Sequence, residues 1–150
     1  MAPEPQLFLN LVVQGLRAGR SIRLPIQGAC MTPFLCSRDE VLVVPDKRHR
    51  VGDIVVCKLS EDILVLHRVI FKKNGKIITK GDSSDCPDLP LSSRDILGRA
   101  VVRVRNGVES SLESWWPRFF GLGLNLALYW FPSLWRVLAA GKRIWQKKLA

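Results

Sequence analysis

Four side chains in this sequence have the chemistry of acyl transfer: Cys30, His67, Asp82 and Asp88. A thiolate attacks a carbonyl carbon, an imidazole moves the proton, and a carboxylate fixes the ring and stabilises its charged form. A free cysteine has a pKa of about 8.5, so near neutral pH it needs a basic or cationic neighbour. His67 is the candidate for that neighbour. Cys30 sits in Gly28-Ala29-Cys30-Met31-Thr32-Pro33-Phe34-Leu35, which reads as a tight turn that lifts one nucleophile out of the fold. His67 lies in Leu66-His67-Arg68-Val69, Asp82 follows Lys80-Gly81, and Asp88 comes six residues later. Each residue also has a plain structural reading. A lone cysteine after alanine is a small buried hydrophobe, a histidine in an apolar run is a core residue, and an aspartate after glycine forms a turn. Spacing alone does not bring the four together.

The elements that must position them read mainly as strands. Residues 6–18 carry Leu7, Leu11, Val12 and Leu16 at helical spacing and predict one amphipathic helix ended near Gly19. Ile22, Leu24 and Ile26 alternate with polar residues, and Pro25 points to a sheet edge. Further strands are predicted over Val41 to Pro45, Ile54 to Leu59, Ile63 to Lys72, Lys76 to Lys80 and Ile96 to Val104. A Ser60-Glu61-Asp62 turn joins two of them. Asn74-Gly75 is a two-residue hairpin signal, and Asn106-Gly107 is expected to close the β region. The connection Asp46 to Asp53 is polar and basic, and His49 in it is expected to be solvated. Residues 81–95 form a long polar loop. The organisation is an N-terminal helix in 1–20, a β domain in 21–110 and a hydrophobic, basic tail in 111–150.

The chain has 150 residues, enough for one domain with a real core. Its formal net charge is +10, and half of that lies in residues 113–150, where Arg118, Arg136, Lys142, Arg143, Lys147 and Lys148 face Glu113 alone. Residues 119–135 hold no charge, a stretch of 17 residues just short of the roughly 20 that span a bilayer as a helix. Trp115, Trp116, Trp130, Trp135 and Trp145 crowd the same region, and tryptophan favours the bilayer interface. The expectation is a helical hairpin bent at Pro132 that lies on an anionic lipid surface through 115–148, with no nucleic-acid partner. A spanning helix, or one docked on the domain or on a dimer partner, competes with it. Cys30, Cys36, Cys57 and Cys86 form no C-x-x-C pair, so neither a metal site nor a cofactor is expected. Unpaired cysteines suit a reducing compartment, and no secretory leader is visible in 1–20.

The Gly28–Leu35 stretch resembles the nucleophile box of type I signal peptidases, a small residue then Ser-Met-x-Pro, with Cys30 where the serine would stand. Gly52-Asp53-Ile54-Val55-Val56 and Leu66-His67-Arg68-Val69 resemble the next two boxes. His-Arg-Val is the form carried by archaeal and endoplasmic-reticulum-type enzymes, whereas bacterial enzymes and LexA-type self-cleaving repressors carry a lysine base nearby. Thr79-Lys80-Gly81-Asp82 with Asp88 resembles the carboxylate box, and Ile96-Leu97-Gly98-Arg99-Ala100-Val101 the closing strand. The likeness covers about residues 22–104.

This resemblance implies a mainly β, coiled-sheet peptidase fold of the signal-peptidase and LexA kind, and a membrane-associated endopeptidase that cuts a leader or signal peptide after a small residue. It implies Cys30 as nucleophile, His67 as general base, Asp82 and Asp88 as orienting carboxylates, and the Cys30 main-chain N–H as oxyanion donor. Met31 and Pro33 would touch substrate. A bacterial inner membrane is implied, with the face open and the cytoplasmic side favoured by the cysteines. Several positions depart from the pattern. Cysteine replaces serine, and Gly28 stands where a hydroxyl often assists the oxyanion hole. Arg38-Asp39 replaces a Gly-Asp turn. The hydrophobic segment stands at the C-terminal end rather than the N-terminal one. The second reading that follows is a catalytically impaired peptidase fold that binds leader peptides or anchors a membrane assembly. A LexA-like regulator would want a DNA-binding helix pair before Gly28, where only 27 residues stand.

Overall fold

The computed structural model describes residues 5–46, 48–60, 63–114, 119, 120, 122, 123 and 127. The first element is helix α1 (Pro5–Arg17). Val12 and Leu16 on one face are buried in the main core, while Leu7 and Leu11 stay exposed. Gly19 ends the helix at φ 79°. The Gly19 N–H donates to the Leu16 carbonyl at 3.1 Å and the Arg20 N–H to the Gly15 carbonyl at 3.0 Å. That pair of bonds is the Schellman stop, which satisfies the last carbonyls of the helix.

Seven strands follow: β1 (Ile22–Pro25), β2 (Glu40–Val44), β3 (Ile54–Ser60), β4 (Ile63–Lys73), β5 (Lys76–Lys80), β6 (Ile96–Arg105) and β7 (Val108–Ser111). They form one antiparallel sheet in the order β1-β2-β6-β3-β4-β5, with β7 paired to β6. β1 ends the row, where the missing N–H of Pro25 breaks no central ladder. In β3, Ile54 and Val56 enter one apolar cluster and Val55 and Cys57 the other. Strand alternation sends them to opposite faces. Both faces are covered, so β3 reads as a continuous apolar run.

Both Asn-Gly pairs take positive φ at both residues, 52° and 74° at Asn74-Gly75 and 51° and 78° at Asn106-Gly107. Those angles suit the two-residue turn that matches strand twist. Asn106-Gly107 therefore does not close the β region; it turns the chain into β7. His49, expected in solvent, is only 4% exposed. Its loop folds back on β4, where the Gly52 N–H donates to the Val69 carbonyl at 2.8 Å and Lys72 Nζ to the His49 carbonyl at 3.4 Å.

Glu61 and Asp62 of the expected turn after Ser60 and most of the hydrophobic tail fall outside the described residues, including the hairpin expected around Pro132 and the basic run Lys142 to Lys148. Among the described residues, no helix is long and apolar enough to cross a membrane.

Candidate active site

The turn between β1 and β2 carries Cys30. Gly28 sits at φ 83°, a backbone region that glycine enters without steric cost. A serine there would be strained, which accounts physically for the missing hydroxyl. The Thr32 N–H donates to the Ala29 carbonyl at 3.0 Å, and the Leu35 N–H to Met31 at 2.9 Å. Helical spacing turns Met31 and Leu35 inward together, and both are buried. Met31, expected on the substrate surface, is thus a core residue that also lines a groove. Pro33 is exposed and is not among the residues lining that groove.

The loop after β5 closes on the turn. The Ser83 N–H donates to the Cys30 carbonyl at 2.9 Å, and Ser83 Oγ to the Ala29 carbonyl at 2.5 Å. Gly81 permits this approach, because a Cβ there would lie 2.7 Å from the Cys30 carbonyl oxygen. Gly81 is therefore a contact residue as well as a turn former. The loop returns to the sheet where the Asp88 N–H donates to the Thr79 carbonyl at 2.8 Å.

That return sets the carboxylate. His67 Nδ1 lies 2.6 Å from Asp88 Oδ2, and the Cys30 side chain is near enough to help hold charge on the ring. Sulfur, imidazole and carboxylate thus fall in one cluster. Burial works against charge on the His67 ring. The influence of Asp88 and Cys30 outweighs it and holds the ring pKa up at about 9. Burial also opposes charge on Asp88, yet bonds from His67 and Thr79 keep its carboxyl below the usual range.

Thr79 is the site residue that sequence reasoning passed over. It is fully buried on β5, and its hydroxyl donates to Asp88 Oδ2 at 2.6 Å, the same oxygen that meets His67. In a β-branched strand run a threonine carries no functional signal of its own; the clue was its place nine residues before an acid. Thr79→Val should leave the fold intact and raise the Asp88 pKa, because a donor to the charged form is lost. Thr79→Ser should keep it low. Carboxyl carbon NMR titration reads both.

Asp82 takes a different place from the one expected. Its two oxygens receive Arg68 Nε and Nη2, both at 2.7 Å, while Arg68 Nη1 donates to the Gly52 carbonyl at 2.8 Å. The Arg68 guanidinium also lies 5.0 Å from the centre of the Phe34 ring, whose edge contact is Phe120 at 6.0 Å. Neighbouring residues on β4 point oppositely, so His67 serves Asp88 and Cys30 while Arg68 serves Asp82 and the turn. Asp82 is a brace within this site, and Asp88 holds the ring. Lys80 beside it is buried, with Nζ 3.4 Å from the Gly81 carbonyl, and burial lowers its pKa.

All four cysteines are free thiols. Burial pushes the Cys57 thiol up to about 12, which makes it inert. Cys30 opens onto a groove of about 630 Å³ between β1, β4 and α1.

This β body with its Cys30 turn is that of a peptidase-fold protein. A family model described as Peptidase S24-like matches residues 6–101, and the chain belongs to that family. The matched stretch contains α1, the Cys30 turn, His67, both aspartates and most of β6, and stops before β7. No curated protein matches the chain.

Proposed function

We propose that this protein is a membrane-associated endopeptidase of the signal-peptidase kind, cutting a leader or signal segment after a small residue through Cys30, His67 and Asp88. The observation that carries the reading is the single His67 ring bonded to Asp88, with the Cys30 side chain close enough to bear on the charge of that ring. The Cys30 sulfur attacks the scissile carbonyl, and the Cys30 main-chain N–H donates to the developing oxyanion. Charged His67 gives its proton to the departing amine, leaving a thioester on Cys30. Neutral His67 then takes a proton from water, which hydrolyses the thioester and restores the thiol. Asp88 keeps the ring aligned throughout. Asp82 contributes through Arg68, which steadies the nucleophile turn at Phe34. The membrane part of the reading rests on sequence, namely the tryptophans and basic residues of 115–148.

The test is to trap the thioester. The protein is mixed with a synthetic peptide library built as an apolar segment followed by small residues, then quenched in acid. Intact-mass spectrometry should show an acyl adduct on Cys30 that hydroxylamine removes. A library that is neither cleaved nor transferred to Cys30 would leave only the peptide-binding alternative.

A further inference from the structure

We infer that helix α1 is a wall of the substrate groove and gives the enzyme a preference for a bulky apolar side chain three or four residues to the acyl side of the scissile bond. The inference rests on the peptidase reading above and adds a specificity element to it.

Cys30 is one of the residues that line the groove. Leu24 to Gln27 line one wall, Leu64 to Leu66 another, and Phe8, Leu9 and Val12 of α1 a third. No charged side chain lines it, and Gln27 is the one polar side chain beside Cys30 among the lining residues. The opposite flank of α1 is mixed, since Gln6, Asn10, Gln14, Arg17 and Lys58 line the concavity there together with Leu9, Val13, Ile63 and Leu64. The groove that Cys30 lines is therefore the more uniformly apolar of the two and the better fit for an apolar occupant.

The wall is fixed. Gly15 lets α1 settle on β1, where a Cβ would lie 2.7 Å from Ile22 Cδ1. Val12 and Leu16 anchor the same half in the core. Phe8 lines the groove and is 38% exposed.

Two strand edges flank the space. β1 ends the sheet order, and the pairing of β4 with β5 runs from Arg68 onward, which leaves Ile63 to His67 with β3 alone among the described strands. Free edges take up an extended chain by main-chain hydrogen bonding. An extended residue advances about 3.3 Å, so four residues beside Leu24 to Gln27 cover about 13 Å. The acyl half must stay seated until the thioester is hydrolysed, while the amine half departs. On this inference the grip of α1 falls on the acyl half, at the third or fourth residue from Cys30.

The probes are acetyl-peptide chloromethyl ketones ending in Ala-Ala or Ala-Ala-Ala, each preceded by leucine or by serine. Cys30 sulfur displaces chloride and forms a thioether, which peptide mapping locates; rates are taken relative to iodoacetamide. The leucine probe should react on the order of tenfold faster than its serine counterpart in one of the two lengths, the scale of partly burying one apolar side chain. In Phe8→Ala, with folding checked by circular dichroism, that ratio should fall to near one. Phe8→Trp, which keeps an apolar ring, should retain a preference for leucine. Modification of Cys30 with equal leucine and serine rates in the parent, or a ratio that survives Phe8→Ala, overturns the role of α1 and leaves the peptidase reading standing. Failure of every peptide probe to modify a Cys30 that iodoacetamide does modify overturns both.

Discussion

Cys30→Ala should reduce cleavage of a susceptible peptide to the rate in buffer, and His67→Gln should cost about 10²–10⁴-fold, the range for removing a positioned general base. The more diagnostic result lies in the pH profile. On the proposed mechanism the His67 ring must be charged to protonate the leaving amine, and its pKa is held at about 9 by Asp88 and Cys30 against burial. Cleavage should therefore fall as pH rises through about 9. Asp88→Asn removes the charge that sustains the imidazolium, burial then dominates, and the alkaline limb should move to lower pH. A limb that stays in place in Asp88→Asn would mean that some other group limits the rate. The same shift has a folding consequence. A histidine whose native pKa lies above its unfolded value of about 6.5 stabilises the fold fully below that value. The contribution is lost as pH rises through about 9. Denaturant midpoints of the parent should fall between pH 7 and pH 10, and those of His67→Gln should fall less.

The order of chemical groups along the chain was legible because each sits beside a local signal: a glycine-led turn for Cys30, an apolar strand run for His67, a glycine and two prolines around the acids. The strands were legible through alternation and the two Asn-Gly turns. β7 was not, because three of its four residues are exposed and the remaining one is half-buried, so the pairing with β6 leaves no apolar rhythm. The choice between Asp82 and Asp88 was closed to sequence as well. Both acids follow turn-forming residues, and what separates them is the return of the loop to the Thr79 carbonyl, a contact set by the folded backbone. Met31 looked like a surface neighbour of the nucleophile because adjacency in sequence says nothing about which way a short helical turn faces. His49 looked solvated because its neighbours are charged, yet the neighbours point out and the ring points in.

Asp82→Ala should be the most destabilising single change in the site. Arg68 is 1% exposed and Asp82 is fully buried, and two bonds of 2.7 Å join them. Burial pushes the Asp82 carboxyl upward and the Arg68 bonds oppose that rise, so each group depends on the other to remain inside. Removing one partner of a buried pair leaves the other charge uncompensated, at about 3–5 kcal/mol. The Gly52 carbonyl would remain to Arg68, but a single neutral acceptor does not replace a bidentate carboxylate. Replacing both partners by apolar residues of similar size, Arg68→Met with Asp82→Leu, removes the charge along with its partner and should recover much of the loss. The double variant should nevertheless stay catalytically poor. The guanidinium that stacks on Phe34 would be gone, and with it the tie between β4 and the turn that presents Cys30. Denaturant unfolding measures the first effect and peptide cleavage the second. If Asp82→Ala lost activity with unchanged stability, the brace would be the wrong account of this carboxylate, and a direct part in catalysis would have to replace it.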